Sequence, residues 1–84
     1  METRVFGNLL NEALEVVQRN GSYFLRYDAG ALQMAWREDE LSAAEFEQLR
    51  QGRPGEYSVI LELQRRIRAR GEDPHVQNWN PSTE

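Results

Sequence analysis

Apolar and polar positions alternate on both sides of Asp28-Ala29-Gly30-Ala31, and the alternation predicts a β-hairpin over residues 23–36. Aspartate and glycine favour a turn for separate reasons: one bonds its own backbone, the other accepts positive φ. A loop over 28–31 pairs Tyr27 with Leu32, Leu25 with Met34 and Tyr23 with Trp36, all on one face. Phe24 with Ala35 and Arg26 with Gln33 then form a more polar face. A slip of one residue would set Leu25 against Gln33 and expose one strand's apolar set, so the pattern itself specifies the register.

Upstream, Phe6, Leu10, Ala13, Leu14 and Val17 recur at spacings of three and four. They predict an amphipathic helix from Thr3 or Asn8 to Arg19, with Asn20-Gly21 as its stop. Downstream, Ser42 and Glu45 stand at capping-box spacing, and Leu41 and Phe46 occupy the flanking staple positions. A second helix therefore opens at Ser42 and closes at Gly52. Gly52-Arg53-Pro54-Gly55 breaks the chain; Pro54 suits a first helical residue, although Gly55 would also fit a start nearer Glu56. The third helix runs from there to Arg70 and stops at Gly71. Tyr57, Ile60, Leu61, Gln64 and Ile67 trace one line on it, and Val59, Leu63 and Ile67 the next, which makes a broad apolar face.

The expected fold is α+β, in the order α-β-β-α-α: a single domain over 1–71, its two-stranded antiparallel hairpin packed on helices, with an extended or disordered tail over 72–84. A two-stranded sheet is marginal alone and leaves both edges as pairing templates. A homodimer joined through the hairpin edges follows as an expectation.

Composition narrows the chemistry. The chain of 84 residues carries a net charge of −4, which opposes non-specific binding to nucleic acid. It has no cysteine, no lysine and one histidine, His75. Disulfides, thiol nucleophiles, Schiff-base lysines and a multi-histidine metal site within one chain are thereby excluded. An all-arginine basic set fits a GC-rich genome. The sequence offers no long apolar run and no signal-peptide core, so a cytoplasmic protein without a membrane segment is expected.

Three stretches carry candidate function. Glu38, Asp39 and Glu40 form an acidic joint before the second helix, where a helix dipole favours negative charge and where a basic partner could dock. No calcium-loop spacing accompanies them, and no metal or cofactor is expected. Arg65, Arg66, Arg68 and Arg70 crowd the end of the third helix, which suits the helix dipole and would also suit phosphate. Trp79, alone in a polar tail, either folds back or anchors a partner. The helix-break-helix resembles a helix-turn-helix only in outline, because the candidate recognition helix opens on apolar residues. An enzyme would need Glu38 or Glu62, Tyr57 and His75 to converge. The expected function is a non-enzymatic protein-interaction adaptor or regulator of a bacterium or phage. A nucleic-acid-associated regulator using the arginine-rich helix end is the alternative.

Overall fold

A computed structural model describes residues 2–30 and 32–81. Ala31 of the expected turn and the last three residues of the expected tail lie outside them. The order is β1 (Glu2–Asn8), α1 (Leu9–Glu12), β2 (Leu14–Arg19), β3 (Ser22–Asp28), β4 (Trp36–Leu41), α2 (Ala43–Leu49) and α3 (Arg53–Ala69). The chain forms two compact units, one of residues 1–40 with 75–84 and one of 41–74.

The first unit corrects the expected two-stranded hairpin. The four strands form one antiparallel sheet in the order β1-β2-β3-β4, so the α+β class holds but the sheet is twice as wide. The expected first helix is a strand, a single helical turn and a second strand. Asn8 caps that turn through its side chain, which accepts from the Leu10 and Asn11 amides, and Ala13 ends it in the left-handed region at φ 57°. β1 and β2 pair from Glu2 opposite Arg19 to Asn8 opposite Leu14, with a bulge between Arg4 and Phe6. Asn20 and Gly21 do not stop a helix. Both have positive φ, 54° and 82°, and they join β2 to β3 as a two-residue hairpin turn of the twist that sheets prefer.

The expected pairing of residues 23–27 with 32–36 is also overturned. β3 pairs with β2 instead, Tyr27 opposite Leu14, Leu25 opposite Val16 and Tyr23 opposite Gln18. Residues 29, 30 and 32–35 lie in a loop between β3 and β4. One Asp28 carboxylate oxygen accepts from both the Gly30 and Ala35 amides, each at 2.9 Å, and the Ala29 amide donates to the Ala35 carbonyl. Asp28 thus ties both ends of a longer loop, and Leu32 and Met34 lie in it as exposed residues rather than in the core. With β3 flanked on both sides, the premise of a dimer through free hairpin edges is gone; the sheet's edges are β1 and β4.

Alternation sorts the first unit's side chains. Leu14, Val16, Leu25 and Tyr27 share one face and are buried. Glu15, Val17, Arg19, Phe24 and Arg26 share the other, where Val17, Glu15 and Arg26 are buried too. A sheet with both faces covered gives no clean alternation of apolar and polar residues.

In the second unit the capping box is present in full. The Glu45 amide donates to Ser42 Oγ at 3.1 Å, and Glu45 Oε1 accepts from the Ser42 amide at 2.8 Å. Phe46 and Leu49 of α2 and Val59, Leu63 and Ile67 of α3 are buried. Pro54 stands in the first turn of α3. Tyr57 and Leu61, expected on the apolar face, are exposed, because the buried line follows 59, 63 and 67 instead. Among the described residues no helix is long and apolar enough to cross a membrane.

Candidate functional site

The sheet's second face is organised by Arg26. Its guanidinium faces three strands at once. Nε donates to Glu38 on β4 at 2.8 Å, one terminal nitrogen to Glu15 on β2 at 3.0 Å, and the other to Glu2 on β1 at 2.7 Å. Arg19 supplies a second cation, bonded to Glu38 at 2.9 Å and Glu2 at 3.1 Å, and its guanidinium lies 4.2 Å from the centre of the Phe24 ring. Trp79 lies over Arg26 with a guanidinium-to-ring distance of 4.4 Å. A planar fork spreads its donors over three nitrogens and so meets carboxylates from three strands, where an ammonium has a single nitrogen to share among them.

The electrostatics follow from this geometry. Burial disfavours the charge on Arg26, but the bonds it donates to Glu38, Glu15 and Glu2 outweigh that and hold it above the ordinary arginine value. Burial likewise pushes Glu38 up, and the bonds from Arg19 and Arg26 overturn this and leave it below the ordinary carboxylate range. In the second unit Glu45 behaves the same way: burial raises it, and Arg66 at 2.8 Å together with the Ser42 amide brings it below that range. A carboxylate depressed in the folded state contributes stability that is complete above its unfolded pKa and is lost as pH falls through the folded one. The protein is therefore expected to keep its resistance to urea from neutral pH down to about pH 5 and to lose it as pH falls further, and the Glu38→Gln variant to show a flatter dependence. A Glu38→Gln profile as steep as the parent's would show that Glu38 does not carry this effect.

The other face holds a second polar group. Tyr27 donates its hydroxyl to Asp39 at 2.7 Å, and Arg37 grips the same carboxylate through two nitrogens at 2.9 Å each. Burial and the Asp39 bond push the Tyr27 hydroxyl up, so it stays protonated as a donor. Arg37 also donates to the Val76 carbonyl at 2.6 Å.

The tail runs back along β4. The Asn78 and Trp79 amides donate to the Trp36 carbonyl, the Trp36 amide donates to the Gln77 side chain, and Asn78 bonds both backbone groups of Glu38. Where it approaches the 29–35 loop, Gly30, Leu32, Gln33, Met34, Ala35, His75 and Gln77 line an open recess of about 480 Å³. His75 Nδ1 lies 2.7 Å from the Ala29 carbonyl oxygen.

The sequence-predicted residues are thus scattered. Glu38 belongs to the Arg26 cluster and Asp39 to the Tyr27 group on the opposite face, while Glu40 is exposed on the same strand. Arg65 pairs with Glu62, Arg66 with Glu45 and Arg70 with Glu72; Arg68 is exposed on α3. Trp79 sits on Arg26. The acidic joint and the arginine-rich helix end are in different units, and each carboxylate or guanidinium named here with a partner has it inside its own unit. Leu32 and Met34, expected on the apolar face of the hairpin, are exposed, and no signal in the sequence marks them so. The Asp28 side chain that closes the loop over them is the local cause. Among the described residues no group of histidine and acidic side chains is placed to hold a metal ion. Comparisons with protein-family models, curated proteins and solved structures find no match to this chain.

Proposed function

We propose that the protein is a non-enzymatic interaction adaptor or regulator that docks another protein on the apolar surface of the 29–35 loop. The observation that carries this is the exposure of Leu32, complete at 100 %, beside Met34 at 64 %, on the rim of the recess. Exposed large apolar side chains scattered singly need no explanation, but adjacent ones around a concavity mark contact surfaces. The acidic and basic side chains of the sheet, by contrast, largely engage one another. Holding two apolar side chains in water on a loop closed by Asp28 costs free energy, and a partner that covers them would return it.

A photo-crosslinker placed at Gln33 and activated in lysate of the source cells should yield a discrete protein adduct. The Leu32→Asp/Met34→Asp variant should lose that adduct while keeping its urea midpoint, since neither side chain is buried. The same adduct at the same yield in the variant would sink the reading.

A further inference from the structure

We infer that the outer edge of β4 is a strand-docking site, held in this chain by its own residues 76–79, for an extended segment of a partner protein carrying an asparagine followed by an aromatic residue. The edge presents backbone groups of Trp36 and Glu38, two residues apart, as one side of a strand does. Asn78 answers Glu38 with its side-chain amide: Oδ1 accepts from the Glu38 amide at 2.8 Å, and Nδ2 donates to the Glu38 carbonyl at 3.2 Å. A side-chain amide has the donor and acceptor of a peptide unit, so Asn78 stands where a neighbouring strand's backbone would. The Trp36 carbonyl accepts from the Asn78 and Trp79 amides at 3.2 and 3.4 Å, and the Trp36 amide reaches the Gln77 side chain at 3.3 Å. Two arginines of the sheet complete the seat. Buried Arg37 takes the Val76 carbonyl, and Arg26 offers its flat face to the Trp79 ring.

The resident segment is a weak occupant. Several of its bonds are long, three of the edge groups are met by side chains rather than by a backbone ladder, and Val76, Gln77 and Asn78 are exposed. Contacts of this kind open at lower free energy than the central strands. A partner segment with the same asparagine and an aromatic residue would keep the Glu38 bonds, the Arg26 contact and the Arg37 contact, and would add main-chain bonds at Trp36, in the mode of strand addition to a sheet edge. The resident segment thus shows the recognition chemistry and also blocks it. It lowers a partner's apparent affinity by the fraction of time the edge is open.

The test uses the full chain and a labelled peptide of residues 75–81, His-Val-Gln-Asn-Trp-Asn-Pro. In fluorescence anisotropy the Asn78→Ala/Trp79→Ala protein should bind the peptide saturably, at least about tenfold more tightly than the unmodified protein. Replacing either the asparagine or the tryptophan of the peptide by alanine should remove that gain. The Leu32→Asp/Met34→Asp substitutions should leave it intact, which separates this edge from the loop surface. In the unmodified protein the Trp36 and Glu38 amides should exchange with solvent faster than the paired amides of β2 and β3. The inference is overturned if the released variant binds no peptide, or if both proteins bind it alike. It also fails if the released variant dimerises without peptide competition, or if the Trp36 and Glu38 amides exchange as slowly as the central strands.

Discussion

Arg26→Ala is expected to destabilise the protein by about 3–5 kcal/mol at neutral pH, a loss set by the carboxylates it leaves behind. The side chain is nearly fully buried, at 4 % exposure, and so are two of its partners, Glu15 and Glu38, at 11 % and 14 %. Removing the guanidinium leaves the three carboxylates to Arg19, which pairs with Glu2 and Glu38 but, among the described residues, not with Glu15. Glu15 would then be a buried anion without its cation. Small domains hold about 5–15 kcal/mol in total, so a loss of this size consumes much of it. Urea unfolding followed by far-UV circular dichroism is the direct measurement. Arg26→Lys is expected to recover only part of the loss, because an ammonium cannot reach β1, β2 and β4 together. A midpoint within about 0.5 kcal/mol of the parent for Arg26→Ala would show that the cluster does not hold the sheet.

The same cluster predicts an order among its acids. Among the described residues it joins three carboxylates and two guanidinium groups, an excess of one negative charge within that set. Neutralising the most exposed acid, Glu2 at 33 %, removes like-charge repulsion and gives up only solvent-screened attraction. Glu15 and Glu38 are each bound to Arg26 in a drier place, where a lost charge-assisted bond costs more. These features make the cluster a staple across all four strands, and they argue against reading Glu38 as a surface for a basic partner.

This cluster also explains what the sequence hid. The hydrophobic pattern located a strand at 23–27, the capping box at Ser42 and the break near Gly52, because each depends on neighbours a few residues away. β4 was invisible to it, since Trp36-Arg-Glu-Asp-Glu-Leu41 buries Arg37 and Asp39 where a strand ordinarily buries aliphatic residues. Their burial is tolerated because Tyr27 and Arg37 satisfy Asp39, and those partnerships cannot be seen without the fold. β2 was mistaken for a helix for a related reason. Both of its faces are buried, one under aliphatic residues and the other beside Arg26, so Leu14, Glu15, Val16 and Val17 show no period of two. The Asn20-Gly21 pair did carry the correct signal, a hairpin turn with positive φ at both positions, and the apparent helical spacing upstream overrode it. Of the candidate site, the tail's tryptophan was legible as an aromatic out of place, but its seat on Arg26 was not.

Gly55→Ala should destabilise the second unit although residue propensity alone says the opposite. Glycine in a helix costs up to about 1 kcal/mol relative to alanine, so an unhindered substitution in α3 would be stabilising. A Cβ at Gly55 would, however, stand 1.9 Å from the Gln48 carbonyl oxygen and 2.8 Å from its carbon. Those atoms are backbone at the end of α2, and the Gln48 oxygen already accepts from the Gln51 amide at 3.1 Å and from the Arg50 amide. No flexible side chain can swing away, so either α2 frays at its cap or the two helices separate. Overpacking of this kind costs about 1–3 kcal/mol, which exceeds what propensity returns near a helix start, and Gly55→Val should cost more than Gly55→Ala. Ser58→Ala, exposed on the same helix, is the control in which propensity acts alone and stability should rise by a few tenths of a kcal/mol. Urea midpoints for the three variants decide the matter. A Gly55→Ala midpoint at or above the parent's would mean that α2 and α3 do not approach as closely as the 1.9 Å clash requires.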